Sequence, residues 1–101
     1  MTVTSKFGIK YDELPESLQH GAMLYVENGV PPGGFLTAVF EDSLIETYRT
    51  ADHWNSQVIP KIVHWLYMYC PTIARGKGVV SKWCEQGGLE GLVKSNDDQP
   101  G

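Results

Sequence analysis

The sequence predicts an all-α domain: a compact bundle of four or five short helices around a central helix at about 53–69, with an extended N-terminal arm. Three observations predict it. Between Val58 and Cys70, the apolar residues Ile62, Val63, Leu66, Tyr69 and Cys70 fall at i, i+1, i+4, i+7 and i+8, one face of an α-helix. Pro15, Gly29, Pro71 and Gly87-Gly88 stand where helices begin or stop. Strand-like alternation is confined to Phe7, Ile9 and Tyr11, and a lone strand has no partner there.

The 101 residues suffice for one core and not for two. The division expected is an arm over 1–13, a helical domain over 14–92 and a disordered tail over 93–101. Net charge is −4, which argues against non-specific binding to nucleic acid or an anionic membrane, since both need a basic surface. No run approaches the length of a membrane span, and the N-terminal stretch has no apolar segment of a secretory leader. Two cysteines, Cys70 and Cys84, make neither a disulfide framework nor a CxxC pair. They read as free thiols in a reducing compartment.

The elements follow in order. Pro15 suits the first position of a helix, where its missing N–H has no intrahelical partner to lose. Leu18, Ala22, Tyr25 and Val26 make the inward stripe, and Gly29 closes it in the left-handed conformation. Val30-Pro31-Pro32 stops the helix. A short helix over about 34–41 should bury Leu36, Val39 and Phe40. Ser43-Leu44-Ile45-Glu46 reads as a capping box opening a third helix, with Leu44, Ile45, Tyr48 and Ala51 inward. The rival is one helix from 34 to 52.

The central helix either begins at Ile59-Pro60 or begins near Asp52 and kinks at Pro60. The second is favoured because Trp54, Val58 and Ile62 keep the period. So apolar a helix should be covered on several sides. Residues 72–78 are a loop. Val79 to Gln86 is a last short helix with Val79, Val80 and Trp83 apolar, ended by Gly87-Gly88-Leu89 as a glycine cap.

Laid out this way, PESLQHG at 15–21, YVENGVPPGGFLTAVF at 25–40, ADHWN at 51–55, IVHWLY at 62–67 and WCEQGGL at 83–89 resemble a family of small uncharacterised proteins of tailed bacteriophages and prophages. The resemblance spans roughly 14–91, and PPGGFLTAV is its most specific part. It implies a phage accessory protein made in the bacterial host cytoplasm, and it carries no catalytic residue onto this chain. Pro60 and Arg75-Gly76-Lys77-Gly78 depart from the family pattern, the first where relatives run an unbroken helix, the second where a Gly-Ser helix start is expected.

Chemistry is sparse. His20, His53 and His64 lack HxxxH or HExxH spacing, and the cysteines add no zinc pattern, so no metal or cofactor is expected. Gly33-Gly34 follows no strand and is no dinucleotide fingerprint; a tight turn is the plainer reading. Cys70 or Cys84 beside His64 has no recognisable nucleophile turn, and no enzyme activity is expected.

Two candidate binding features stand out. Arg75, Lys77 and Lys82 around two glycines, with Trp83 to stack a base and Arg49 as a second phosphate contact, would suit an anion or nucleotide. A solvated basic loop is the plainer reading. The second feature is aromatic. Trp65 and Trp83 read better as core, Trp54 and Tyr67 read equally as core or interface, and Met68 joins them if they reach the surface.

The function expected is non-enzymatic binding to a host protein, with inhibition of host defence or modulation of transcription as its outcome. Self-association is open, because these helices carry more apolar surface than one small core readily hides. The alternative is a small-ligand sequestering protein that holds an anionic nucleotide signal. A helical DNA-binding regulator is weaker, since no helix carries a row of basic residues.

Overall fold

A computed structural model describes residues 5–51 and 53–97, including side chains except at 44, 48, 50, 53–56 and 95–97. Among the described residues every regular element is helical. Six α-helices follow one another: α1 Glu16–Asn28, α2 Gly34–Phe40, α3 Leu44–Thr50, α4 His53–Met68, α5 Val79–Gln86 and α6 Gly88–Asp97. Single 3-10 turns at Tyr11–Glu13 and Thr72–Ala74 precede α1 and α5.

Helix α1 forms where its punctuation places it. Pro15 is its N-cap and Gly29 its left-handed C-cap. Leu18, Ala22, Tyr25 and Val26 are buried as a stripe. Tyr25 stacks on Phe40 at 4.3 Å between ring centroids, and Phe40 meets Trp65 edge-on at 6.3 Å. Tyr11 closes the aromatic group against Trp65 at 5.7 Å. Among the buried Tyr and Trp rings, each polar tip but one finds a backbone partner. The Tyr25 hydroxyl donates to Ala74 O at 2.7 Å, and Trp65 Nε1 donates to Lys10 O at 3.0 Å. Trp83 Nε1 donates to both Tyr25 O and Val26 O at 3.1 Å. The Tyr11 hydroxyl has no acceptor in hydrogen-bond geometry. Burial first, then the nearby Glu27 carboxylate, push its pKa far above the usual phenol range.

The break between α2 and α3 is real, and its device differs from the capping box expected at Ser43. Ser43 is the N-cap of α3 but makes no side-chain cap bond. The break is made at the end of α2 instead. Asp42 sits at φ 58°, its N–H donates to Val39 O, and the Ser43 N–H reaches Ala38 O. That is a Schellman motif with Asp in the position glycine usually takes. Glu46 pairs with Arg49 one turn on.

Three further expectations are corrected. Ile45 points to solvent rather than inward, at 80% exposure. Helix α4 runs through Pro60, as the kinked-helix alternative required, but among its described side chains only one side is covered. It buries Ile59, Ile62, Trp65 and Leu66 and leaves Lys61, Val63, His64, Tyr67 and Met68 exposed. Gly87 caps α5 in the left-handed conformation as expected, but a further helix that the sequence did not mark follows it. The Gly87-Gly88 turn leads directly into α6, which continues helical past 93 to Asp97, where a disordered tail was expected.

Helix α6 docks on α1 through glycines. A Cβ on Gly88 would come within 2.6 Å of Gly29 N and 2.7 Å of the Glu27 carbonyl carbon. A Cβ on Gly29 would come within 2.7 Å of Gly88 N. The two backbones touch because neither residue has a side chain. The N-terminal arm crosses the same end of α1. Ser5 Oγ donates to the buried Glu27 carboxylate at 2.7 Å and accepts from the N–H groups of Phe7 and Ile9. Lys6 pairs with Glu90 of α6. The arm is thus a strap across α1 and α6.

Candidate functional site

A cavity of about 280 Å³ opens where the end of α2, α3 and α4 meet the loop before α5. Val39, Ile59, Ile62 and Leu66 give it an apolar floor, and Val63 and Tyr67 form its α4 side. Ser43, Thr47, Asp42 and Arg75 bring the polar groups. Tyr67 and Arg75, which the sequence assigned to two separate features, therefore line one cavity.

Outside its mouth, α4 presents Val63 at 48%, Tyr67 at 80% and Met68 at 54% exposure. Val63 and Tyr67 lie one turn apart on the same side of the helix, and Met68 follows about 100° further round, beyond His64. This settles Tyr67 as surface rather than core. The side chains of Trp54 and His53 lie outside what the structure describes. His64 is exposed and meets Tyr69 edge-on at 6.5 Å.

The expected anion site is dispersed and already filled by the protein's own acids. Arg75 Nη1 pairs with Asp42 Oδ2 at 3.2 Å. The Gly78 N–H, at the start of α5, donates to the Glu41 carboxylate, and the Gly76 N–H donates to Phe40 O at 2.8 Å. The backbone donors that would have met a phosphate are thus spent on the end of α2. Lys77 and Lys82 are exposed and do not line the cavity. Arg49 makes a two-pronged bond to Glu46 within α3, which holds the Glu46 carboxyl below its ordinary range. Trp83 is 3% exposed with its N–H engaged, so it has no face to offer a base.

Among the described residues no group of three or more His, Cys, Asp and Glu side chains is placed to hold a metal ion. Both cysteines are free. Burial pushes the Cys70 thiol up to about 12, with a smaller downward pull from Arg75. Burial also raises Cys84, which is only partly covered. A thiol held in its neutral form is a poor nucleophile.

A pH dependence follows from Cys70. Its thiol is protonated in the folded state across a range where the unfolded chain has released that proton. The folded state then holds more protons, so stability falls as pH rises. The Cys70 contribution is complete below about 9 and is lost as pH climbs through about 12. Urea midpoints measured across that range should decline, and less steeply in Cys70→Ala. At neutral pH, iodoacetamide followed by mass spectrometry should mark Cys84 first and Cys70 only with unfolding. Equal rates at the two thiols would contradict the burial described.

No family model, curated protein or solved structure matches the chain. No helix among the described residues is long and apolar enough to cross a membrane.

The sequence missed the cavity as a unit. Its floor residues read as helix stripes, and Asp42 gave no glycine to mark the sharp turn that brings it to Arg75. The one available signal was the acid pair Glu41-Asp42 at the end of α2, opposite in charge to the basic loop.

Proposed function

We propose that the chain is a non-enzymatic phage accessory protein that binds a protein of its bacterial host through the outward side of α4. The observation supporting this best is the run of Val63, Tyr67 and Met68 on solvent beside an open apolar cavity. Exposed apolar side chains that include an aromatic ring and a methionine suit an interface rather than a solvated surface. The phage origin and the host cytoplasm rest on the sequence resemblance. Inhibition of host defence or modulation of transcription is the proposed outcome of docking. The neutral, buried Cys70 thiol agrees with a role without catalysis.

The nucleotide-sequestering alternative has less support, because Glu41 and Asp42 occupy the loop that would hold the phosphate. Self-association through the same patch is the competing occupant, and light scattering distinguishes it. The test uses immobilised wild type and a Tyr67→Asp, Met68→Asp double variant exposed to host lysate. Both changed side chains are exposed, so circular dichroism should show the variant folded. A host protein retained by the wild type and released by the variant supports docking. Equal retention by both, or none by either, ends this reading.

A further inference from the structure

The polar end of the cavity is incomplete. Arg75 is held by Asp42 through Nη1 alone, at 3.2 Å to Oδ2 and 3.5 Å to Oδ1. Its Nε–H is buried and has no acceptor. A guanidinium carries its N–H groups in fixed forks, and the edge formed by Nε and Nη2 is one that receives both oxygens of a carboxylate. A buried N–H left without an acceptor costs free energy that an arriving oxygen recovers. The pair with Asp42 is partly solvated and long, so it is weak, and an arriving carboxylate competes with Asp42 for the guanidinium. The rest of the lining is largely apolar: Val39, Ile59, Ile62, Val63 and Leu66. At about 280 Å³ the cavity lies just below the range of drug-sized ligand pockets, roughly 300–1,000 Å³, which suits a smaller ligand.

We propose that this cavity binds a small amphipathic carboxylate, such as a medium-chain fatty acid. Its hydrocarbon lies on Ile59, Ile62 and Leu66, and its carboxylate bonds the Nε–Nη2 edge of Arg75. A nucleotide fits less well, because its base and sugar need several polar partners and the floor has none. Asp42 is the internal competitor: it holds Arg75 in the empty protein and repels the incoming charge. The site does not depend on protein docking, and loss of the host partner would leave it standing.

The probes are decanoate and decanol, titrated calorimetrically below their aggregation limits. Wild type should bind decanoate one to one, about tenfold more tightly than decanol, the margin expected for charged hydrogen bonds. Methyl resonances of Ile62 and Leu66 should shift in the same titration, while those of Leu92 and Val93 stay fixed. Arg75→Gln should reduce decanoate affinity to that of decanol. Asp42→Asn should tighten decanoate several-fold, since asparagine tolerates the positive φ at that position. Equal affinities for the two probes, no binding of decanoate, or shifts confined to other methyls would overturn the proposal. If Arg75→Gln fails to fold, Asp42→Asn decides alone, and unchanged or weaker binding counts against it.

Discussion

Gly88→Ala is expected to lower stability by about 2–5 kcal/mol, combining a left-handed backbone penalty of roughly 1–2 with an overpacking cost of roughly 1–3. Gly88 sits at φ 68°, where a side chain is strained whatever the space. The added methyl would also press on Gly29 N, the Glu27 carbonyl carbon and Asn28 N, all within 2.8 Å. These are backbone atoms in the last turn of a helix and cannot swing aside. Helix α6 would have to lift from α1. Gly8→Ala separates the two effects, because Gly8 also has positive φ, at 76°, but has nothing within 4 Å of the added carbon. It should cost about 1 kcal/mol. Urea unfolding of both variants measures the difference. Matching losses would mean that the α1–α6 contact gives way easily and that only the backbone angle matters.

Trp83→Ala should cost about 3–5 kcal/mol, the range for removing a large buried aromatic side chain. The more informative change is Trp83→Phe, which keeps most of the ring and removes the N–H. That N–H donates to Tyr25 O and Val26 O, carbonyls in the last turn of α1, where helices leave acceptors unpaired. Gly29 already donates to Tyr25 O, but Val30 reaches back to Leu24 O instead of Val26 O. Val26 O therefore depends on the indole. Trp83→Phe should cost about 1–3 kcal/mol for the stranded acceptor. Hydrogen exchange should localise the loss to the final turn of α1. A phenylalanine variant as stable as wild type would show that water replaces the indole there and that Trp83 serves only by volume.

Much of the helical layout was legible because local chemistry and tertiary packing agree there. The Leu18–Ala22–Tyr25–Val26 stripe, the Pro15 and Gly29 boundaries and the Leu36–Val39–Phe40 face all lie where period and punctuation put them. The misses share a physical origin, in that each is decided by a partner distant in sequence. Gly87-Gly88 has the local chemistry of a helix end, and it is one. That a new helix starts at once depends on α1 offering Gly29 as a bare surface. The polar composition of 93–97 hid the rest of α6. Ile45 reads as inward by spacing, yet α3 turns it to water. Trp83 reads as core by its place on the apolar face of α5, and it is buried; that its indole reaches the last turn of α1 depends on a partner 57 positions away. The cavity was least legible of all, since its lining comes from four separate segments and its sharpest turn uses an aspartate.

The ties that seat α1 and the N-terminal arm have a consequence for how the chain is made. Trp83 reaches α1 across 57 and 58 positions, Tyr25 meets Ala74 across 49, Trp65 holds Lys10 across 55, and Lys6 meets Glu90 across 84. Helical proteins usually fold fast because their contacts are local, and distant pairings must first close long loops. During synthesis α2 and α3 can pair as soon as both have emerged. Helix α1, made before them, can meet α2 through Tyr25 and Phe40, but the ties to its last turn wait for Ala74, Trp83 and α6. The C-terminal end of its apolar stripe stays partly uncovered for most of translation, and those residues are where a nascent chain of this protein would engage a chaperone.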